Sequence, residues 1–115
     1  MFGLNLLQRK KWSDAETLTR ESLAIRQKLV PDHWTTFNIR SQLGAALTGQ
    51  GKYADAEPLL VEGYTGMKAR LAKIPPDGRI SLTESLERLV QLYDSWGKPA
   101  EAAKWRDELA SLGKP

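Results

Sequence analysis

The sequence predicts an all-α chain of tandem helix-turn-helix units stacked side by side, and three observations carry that prediction. The segment Lys11-Trp12-Ser13-Asp14-Ala15-Glu16 returns 41 residues later as Lys52-Tyr53-Ala54-Asp55-Ala56-Glu57. Self-similarity at such a period marks an architecture in which each unit buries its apolar face against its neighbours. Apolar residues fall in stripes at helical spacing, each bounded by Gly or Pro. Strand-like alternation is absent.

The repeat extends beyond its best-matched hexapeptide. The same offset carries Leu18 onto Leu59, Glu21 onto Glu62, Gly3 onto Gly44 and Leu6 onto Leu47. A weaker third copy begins at Lys98-Pro99-Ala100-Glu101-Ala102-Ala103, offset by 46 from the second. Its extra five residues fit a longer linker, Ile74-Pro75-Pro76-Asp77-Gly78-Arg79.

The elements follow in order, about six helices with the first truncated. Phe2 to Lys10 reads as the back half of a first helix, with a turn at Arg9-Lys10-Lys11. Ser13-x-x-Glu16 then forms a capping box, in which the Ser accepts from a free backbone N–H and the Glu reaches back. Leu18, Leu23, Ile25 and Leu29 continue that helix to about Val30, where Pro31 stops it. Trp34, Phe37, Leu43, Ala46 and Leu47 form the next, with Thr35 or Thr36 near its start and Gly49 and Gly51 at its end. Tyr53 to about Lys73 is another, with Pro58 in about its first turn. Pro75-Pro76-Asp77-Gly78 makes a turn. Ser81-x-x-Glu84 reads as a second capping box, opening a stripe from Leu82 to Trp96 that Gly97 closes. The last helix runs from about Pro99 to Leu112, with Gly113 as its cap. The expected organisation is one domain over 1–115, with units at about 1–30, 34–73 and 79–112.

These residues resemble the tetratricopeptide repeat. Its pattern of a large residue, then Leu-Gly, a further large residue and Ala-x3-large stands here as Leu43-Gly44-x-x-Leu47 and Ala56-x-x-x-Leu60. The first copy gives Phe2-Gly3-x-x-Leu6 and Ala15; the third keeps Leu89, Tyr93 and Ala102 but has Val90 in place of Gly. The long spacing is similar to that of kinesin light chains, where a segment like Ala24 to His33 is also familiar. Tyr53 to Trp105 resembles the C-terminal repeat region attached to bacterial serine/threonine protein kinases. The resemblance implies a right-handed superhelix and a scaffolding role in a bacterial signalling protein. A solenoid that starts in mid-helix leaves Phe2, Leu4, Leu6 and Leu7 without a partner. The expectation is a fragment of a longer protein, or self-association into a homo-oligomer through that edge.

Composition removes several classes of function. The chain has 115 residues and no cysteine, which excludes disulfide scaffolds, thiolate metal sites and a cysteine nucleophile. Seventeen basic and 14 acidic residues leave a net charge of +3, too small by itself to argue for nucleic acid, whose binding through the basic clusters stays the lesser alternative. No apolar stretch is long enough to span a membrane. Met1 to Leu7 lacks a basic leader and a small-residue cleavage site, so the expected location is cytoplasmic.

No enzyme is expected. The one histidine, His33, follows Asp32 and reads as a cap of an inter-helix turn rather than a general base. Carboxylates are scattered at helical spacing, so neither a metal nor another cofactor is expected. The phosphate loop and catalytic segments of a kinase are missing. Arg9-Lys10-Lys11, Arg20, Arg26 and Lys28 are interleaved with Asp14, Glu16, Glu21 and Asp32, as on a solvated face. The four tryptophans read as packing between helices rather than base-stacking platforms.

The surface singled out is the concave one. In the family it resembles, the first helix of each hairpin lines the inside of the superhelix and a protein or peptide partner binds there. Counting from Leu43-Gly44, this assigns Asn38, Ser41, Gln42, Ala45 and Thr48 to that face, with Glu84, Glu87, Arg88, Gln91 and Asp94 in the third copy. Leu4, Leu7 and Gln8 are their counterparts in the first copy. Asn and Gln suit an extended peptide backbone, and Arg88 suits a carboxylate. A clamp of several Lys and Arg on this face is absent.

Overall fold

The computed structural model describes residues 2–112, with side-chain surroundings from Lys11 onward. It contains α1 (Phe2–Leu29), α2 (Trp34–Gly49), α3 (Tyr53–Ala69), α4 (Ile80–Trp96) and α5 (Pro99–Leu112). Two 3-10 turns, Leu71–Lys73 and Pro76–Gly78, carry the chain from α3 to α4. No strand occurs among the described residues.

The short loops dictate antiparallel neighbours. At Gly51 the backbone turns with φ +79°, and at Gly97 with φ +76°. A side chain is strained in this left-handed region, so glycine ends the helix at both places. The Lys52 N–H donates to the Leu47 carbonyl and the Lys98 N–H to the Tyr93 carbonyl, closing equivalent turns. α2 then packs along α3, and α4 along α5. α2 also touches α1 and α4, so it lies at the centre of the stack.

One core runs through these layers. Leu43 and Leu47 of α2 meet Leu60 and Met67 of α3, and Leu82, Leu86, Leu89 and Leu92 of α4. Ile74 from the linker and Ala102 from α5 complete it. Burying each Leu side chain contributes about 2 kcal/mol. Polar ties add direction at the edges. The Tyr64 hydroxyl donates to Glu108 at 2.5 Å and the Tyr93 hydroxyl to Glu57 at 2.7 Å, joining α3 to α5 and α4 to α3. Lys68 reaches the same Glu108 carboxylate at 2.7 Å.

Three local expectations change. The turn at Arg9-Lys10-Lys11 is not made, and α1 runs through it without a break. Lys10 stands where the later copies carry Gly51 and Gly97, and a lysine favours helix over the left-handed turn. Ser13 is therefore inside a helix, where its carbonyl accepts from the Thr17 hydroxyl at 3.3 Å, and the capping box is lost. Ser81 is not a cap either. Arg79 already has helical φ and ψ on leaving the 3-10 turn, so α4 starts at Ile80 with no side-chain cap. Finally, α3 ends at Ala69 and its expected last turn tightens into a 3-10 helix. The expected cap at Gly113 lies outside the described residues.

Candidate protein-binding groove

α2 and α4 present adjacent faces because both follow the same hairpin geometry. Between them lies an open groove of about 660 Å³. Ala45, Thr48 and Gly49 of α2 form one wall, and Glu84, Glu87, Arg88, Gln91 and Ser95 of α4 the other. Trp12 of α1 and Tyr53 of α3 close one end.

The groove combines small and polar side chains with an aromatic end. Ala45 is a small side chain on the α2 wall, and Gln91 donates to Ser95 at 2.8 Å on the α4 wall. Glu84 and Glu87 are exposed. Arg88 is held down across the floor, with Nη1 donating to the Ser41 hydroxyl at 3.1 Å. Burial pushes the Arg88 pKa down, while the Glu84 and Glu87 carboxylates oppose that change. Two carboxylates and one guanidinium leave the lining with a net charge of −1. The Arg88 guanidinium leans on Ser41, so the charge most exposed along the groove is that of the Glu84 and Glu87 carboxylates.

The structure distributes the expected site residues unevenly. Ala45, Glu84, Glu87, Arg88 and Gln91 lie on the groove. Ser41 is fully enclosed at 0% exposure, because Gly63 of α3 packs against it from one side and Arg88 bonds to it from another. It positions Arg88 and does not face the groove. Asn38 and Gln42 are half-buried on α2 and line no part of the groove. Phe2, Leu4, Leu6 and Leu7 lie outside the described side chains. Trp12, Gly49, Tyr53 and Ser95 line the groove without having been anticipated there. A signal for two of them exists: Trp12 and Tyr53 occupy the same position of the repeat, so the aromatic recurs.

The other candidates resolve into structural roles. His33 caps α2, its Nδ1 accepting from the Thr35 N–H at 3.2 Å. Arg70 donates to the Asp32 carbonyl at 2.7 Å and fixes the same turn. Arg20 pairs with Glu16 at 2.8 Å, and Arg26 donates to the Thr35 hydroxyl at 2.9 Å, so both are engaged within the fold. Among the described residues, no group of three or more His, Cys, Asp or Glu could hold a metal ion. None of the described helices is long and apolar enough to cross a membrane.

The repeat signature has a direct physical meaning here. A Cβ on Gly44 would lie 2.5 Å from Leu60 Cγ, so the Leu-Gly position of α2 and the fourth residue after Ala56 in α3 interlock. The family profile described as tetratricopeptide repeat matches residues 1–35 and again 36–71. This chain belongs to the tetratricopeptide repeat family. Tetratricopeptide repeats are in general protein–protein interaction modules. No curated protein matches the chain. The remaining tetratricopeptide-like hairpin, α4 with α5, lies beyond the matched residues, and it has Val90 where the second copy has Gly44.

Proposed function

We propose that this chain is a non-catalytic interaction module that holds an extended peptide segment of a protein partner in the groove between α2 and α4. The open groove itself supports the reading. Its Gln91, Thr48 and Ser95 side chains suit the polar backbone of a peptide, and its Glu84–Glu87 pair suits a Lys or Arg side chain. Trp12 and Tyr53 suit an apolar residue farther along. Placement within a larger bacterial signalling protein rests on the resemblance to kinase-attached repeats.

Selection of a displayed library of short peptides against the whole chain tests this. Selected peptides should carry a basic residue spaced from an apolar one. They should lose binding to Ala45→Trp, which fills the groove, and to the Glu84→Lys, Glu87→Lys double variant, which reverses its charge. Helical circular dichroism should be unchanged in both. Peptides that bind all three proteins equally would place the site elsewhere and overturn the proposal.

A further inference from the structure

We propose that two copies of this chain associate antiparallel through the free face of α1. α1 buries Leu23 on one side. Its other side exposes Leu18 at 65%, Ile25 at 59% and Leu29 at 72%. With Ser22 between them, these residues follow the alternating spacing of four and three that forms a coiled-coil seam. A shallow hollow of about 390 Å³ lies along the seam, lined by Ser22, Ile25, Arg26, Leu29 and Val30. Three exposed large apolar side chains on one face, broken only by Ser22, suit an interaction surface better than scattered exposure does.

The second hairpin says what kind of element fits. Ser22 and Ile25 of α1 correspond to Gly63 and Gly66 of α3 at the 41-residue offset. Both of those glycines lie directly against α2, through Phe37 and Ser41. The counterpart face is therefore covered by an antiparallel helix in the second unit and open in the first.

Charge selects a second copy of α1 as the occupant. An antiparallel pairing sets Leu18 opposite the other copy's Leu29, and Ser22 opposite its Ile25. Twofold symmetry makes each contact twice. Glu21 and Lys28 share one edge of the seam, and this pairing brings each beside the opposite charge on the other copy. Neither is in an ion pair among the described residues. Arg26, on the other edge, is already turned to Thr35. Ser22 keeps the centre narrow enough for the helices to meet.

Sedimentation velocity over rising concentration, up to about 1 mM chain, tests the association. The wild type should shift from monomer to dimer, and the Leu18→Glu, Ile25→Glu double variant should stay monomeric with unchanged helical circular dichroism. Because the chain has no cysteine, geometry is read separately with Glu21→Cys and Lys28→Cys. Oxidation of the mixture should give the mixed disulfide dimer, and neither variant alone should cross-link. A wild type that stays monomeric throughout overturns the proposal. So does cross-linking of each variant with itself in preference to the other. A monomer whose Leu18 and Ile25 resist hydroxyl-radical labelling would overturn it in favour of a helix supplied from elsewhere.

Discussion

The indole of Trp12 lies flat against Gly49, so close that a Cβ on Gly49 would sit 2.3 Å from the ring. The contact joins the middle of α1 to the last residue of α2, and it forms one end of the groove between α2 and α4. Packing between units and shape of the groove therefore depend on the same pair. Gln50 strengthens the joint, donating to the Glu16 carboxylate of α1 at 2.8 Å.

Gly49→Ala should displace the indole rather than the backbone. Trp12 sits at the margin of the fold and can swing toward solvent. The expected cost is about 1 kcal/mol of lost burial, read as a lower thermal midpoint. Tryptophan emission should shift to the red, and the same substitution in a Trp12→Phe background should leave emission unmoved. Groove peptides should bind Gly49→Ala more weakly, since the aromatic end has moved. Unchanged emission in Gly49→Ala would mean that the ring does not yield.

Gly63 poses the opposite case. A Cβ there would lie 2.8 Å from the Phe37 carbonyl oxygen and 2.9 Å from the Ser41 backbone nitrogen. Backbone cannot swing aside, so α2 and α3 must separate. Gly63→Ala gains about 1 kcal/mol of helix propensity and loses more by overpacking, for a net destabilisation of about 1–2 kcal/mol. Ser41 holds Arg88, so the variant should also loosen the groove floor and weaken peptide binding. Denaturant unfolding with a stability equal to or above wild type would contradict the close approach.

Much of this architecture was legible in the sequence because the repeat is a packing rule written in small and large residues. The Leu43-Gly44 and Ala56-x-x-x-Leu60 spacing marked the hairpin that the structure builds. The first turn is absent for a specific reason. The repeat aligns Lys11-Trp12 with Lys52-Tyr53, yet the position that decides the turn precedes that motif. It is Gly51 in one copy and Lys10 in the other. Ser-x-x-Glu does not by itself mark a cap, because it also fits a helix interior, where only the preceding backbone decides. In the groove, the face of α4 follows from the resemblance to the repeat, counted from Leu43-Gly44 into the third copy. The burial of Ser41 does not, because it depends on Gly63 in another helix. Trp12 reached the groove through an inter-helix contact that no single-helix pattern contains.

Glu16 gives the fold a distinct response to acid. Its carboxylate accepts from the Gln50 amide, from Arg20 and from Lys52, and these partners hold its pKa down from 4.5 to about 2, against the smaller opposing effect of burial. The unfolded chain has no such partners and takes up the proton near the ordinary value. The contribution is therefore complete above about 4.5 and is lost as pH falls toward about 2. Water around the half-exposed Arg20 and Lys52 screens the pairs, which leaves about 1 kcal/mol. Glu16→Gln should accordingly be less stable than wild type near neutral pH, and the gap should close across that acid window. Urea unfolding of both proteins at stepped pH measures it. Glu108, held below its ordinary pKa by Lys68 and then by the Tyr64 hydroxyl, titrates in both proteins and cancels in the comparison. A gap that stays constant down to pH about 2 would mean that the Gln50 contact does not act through the charge of Glu16.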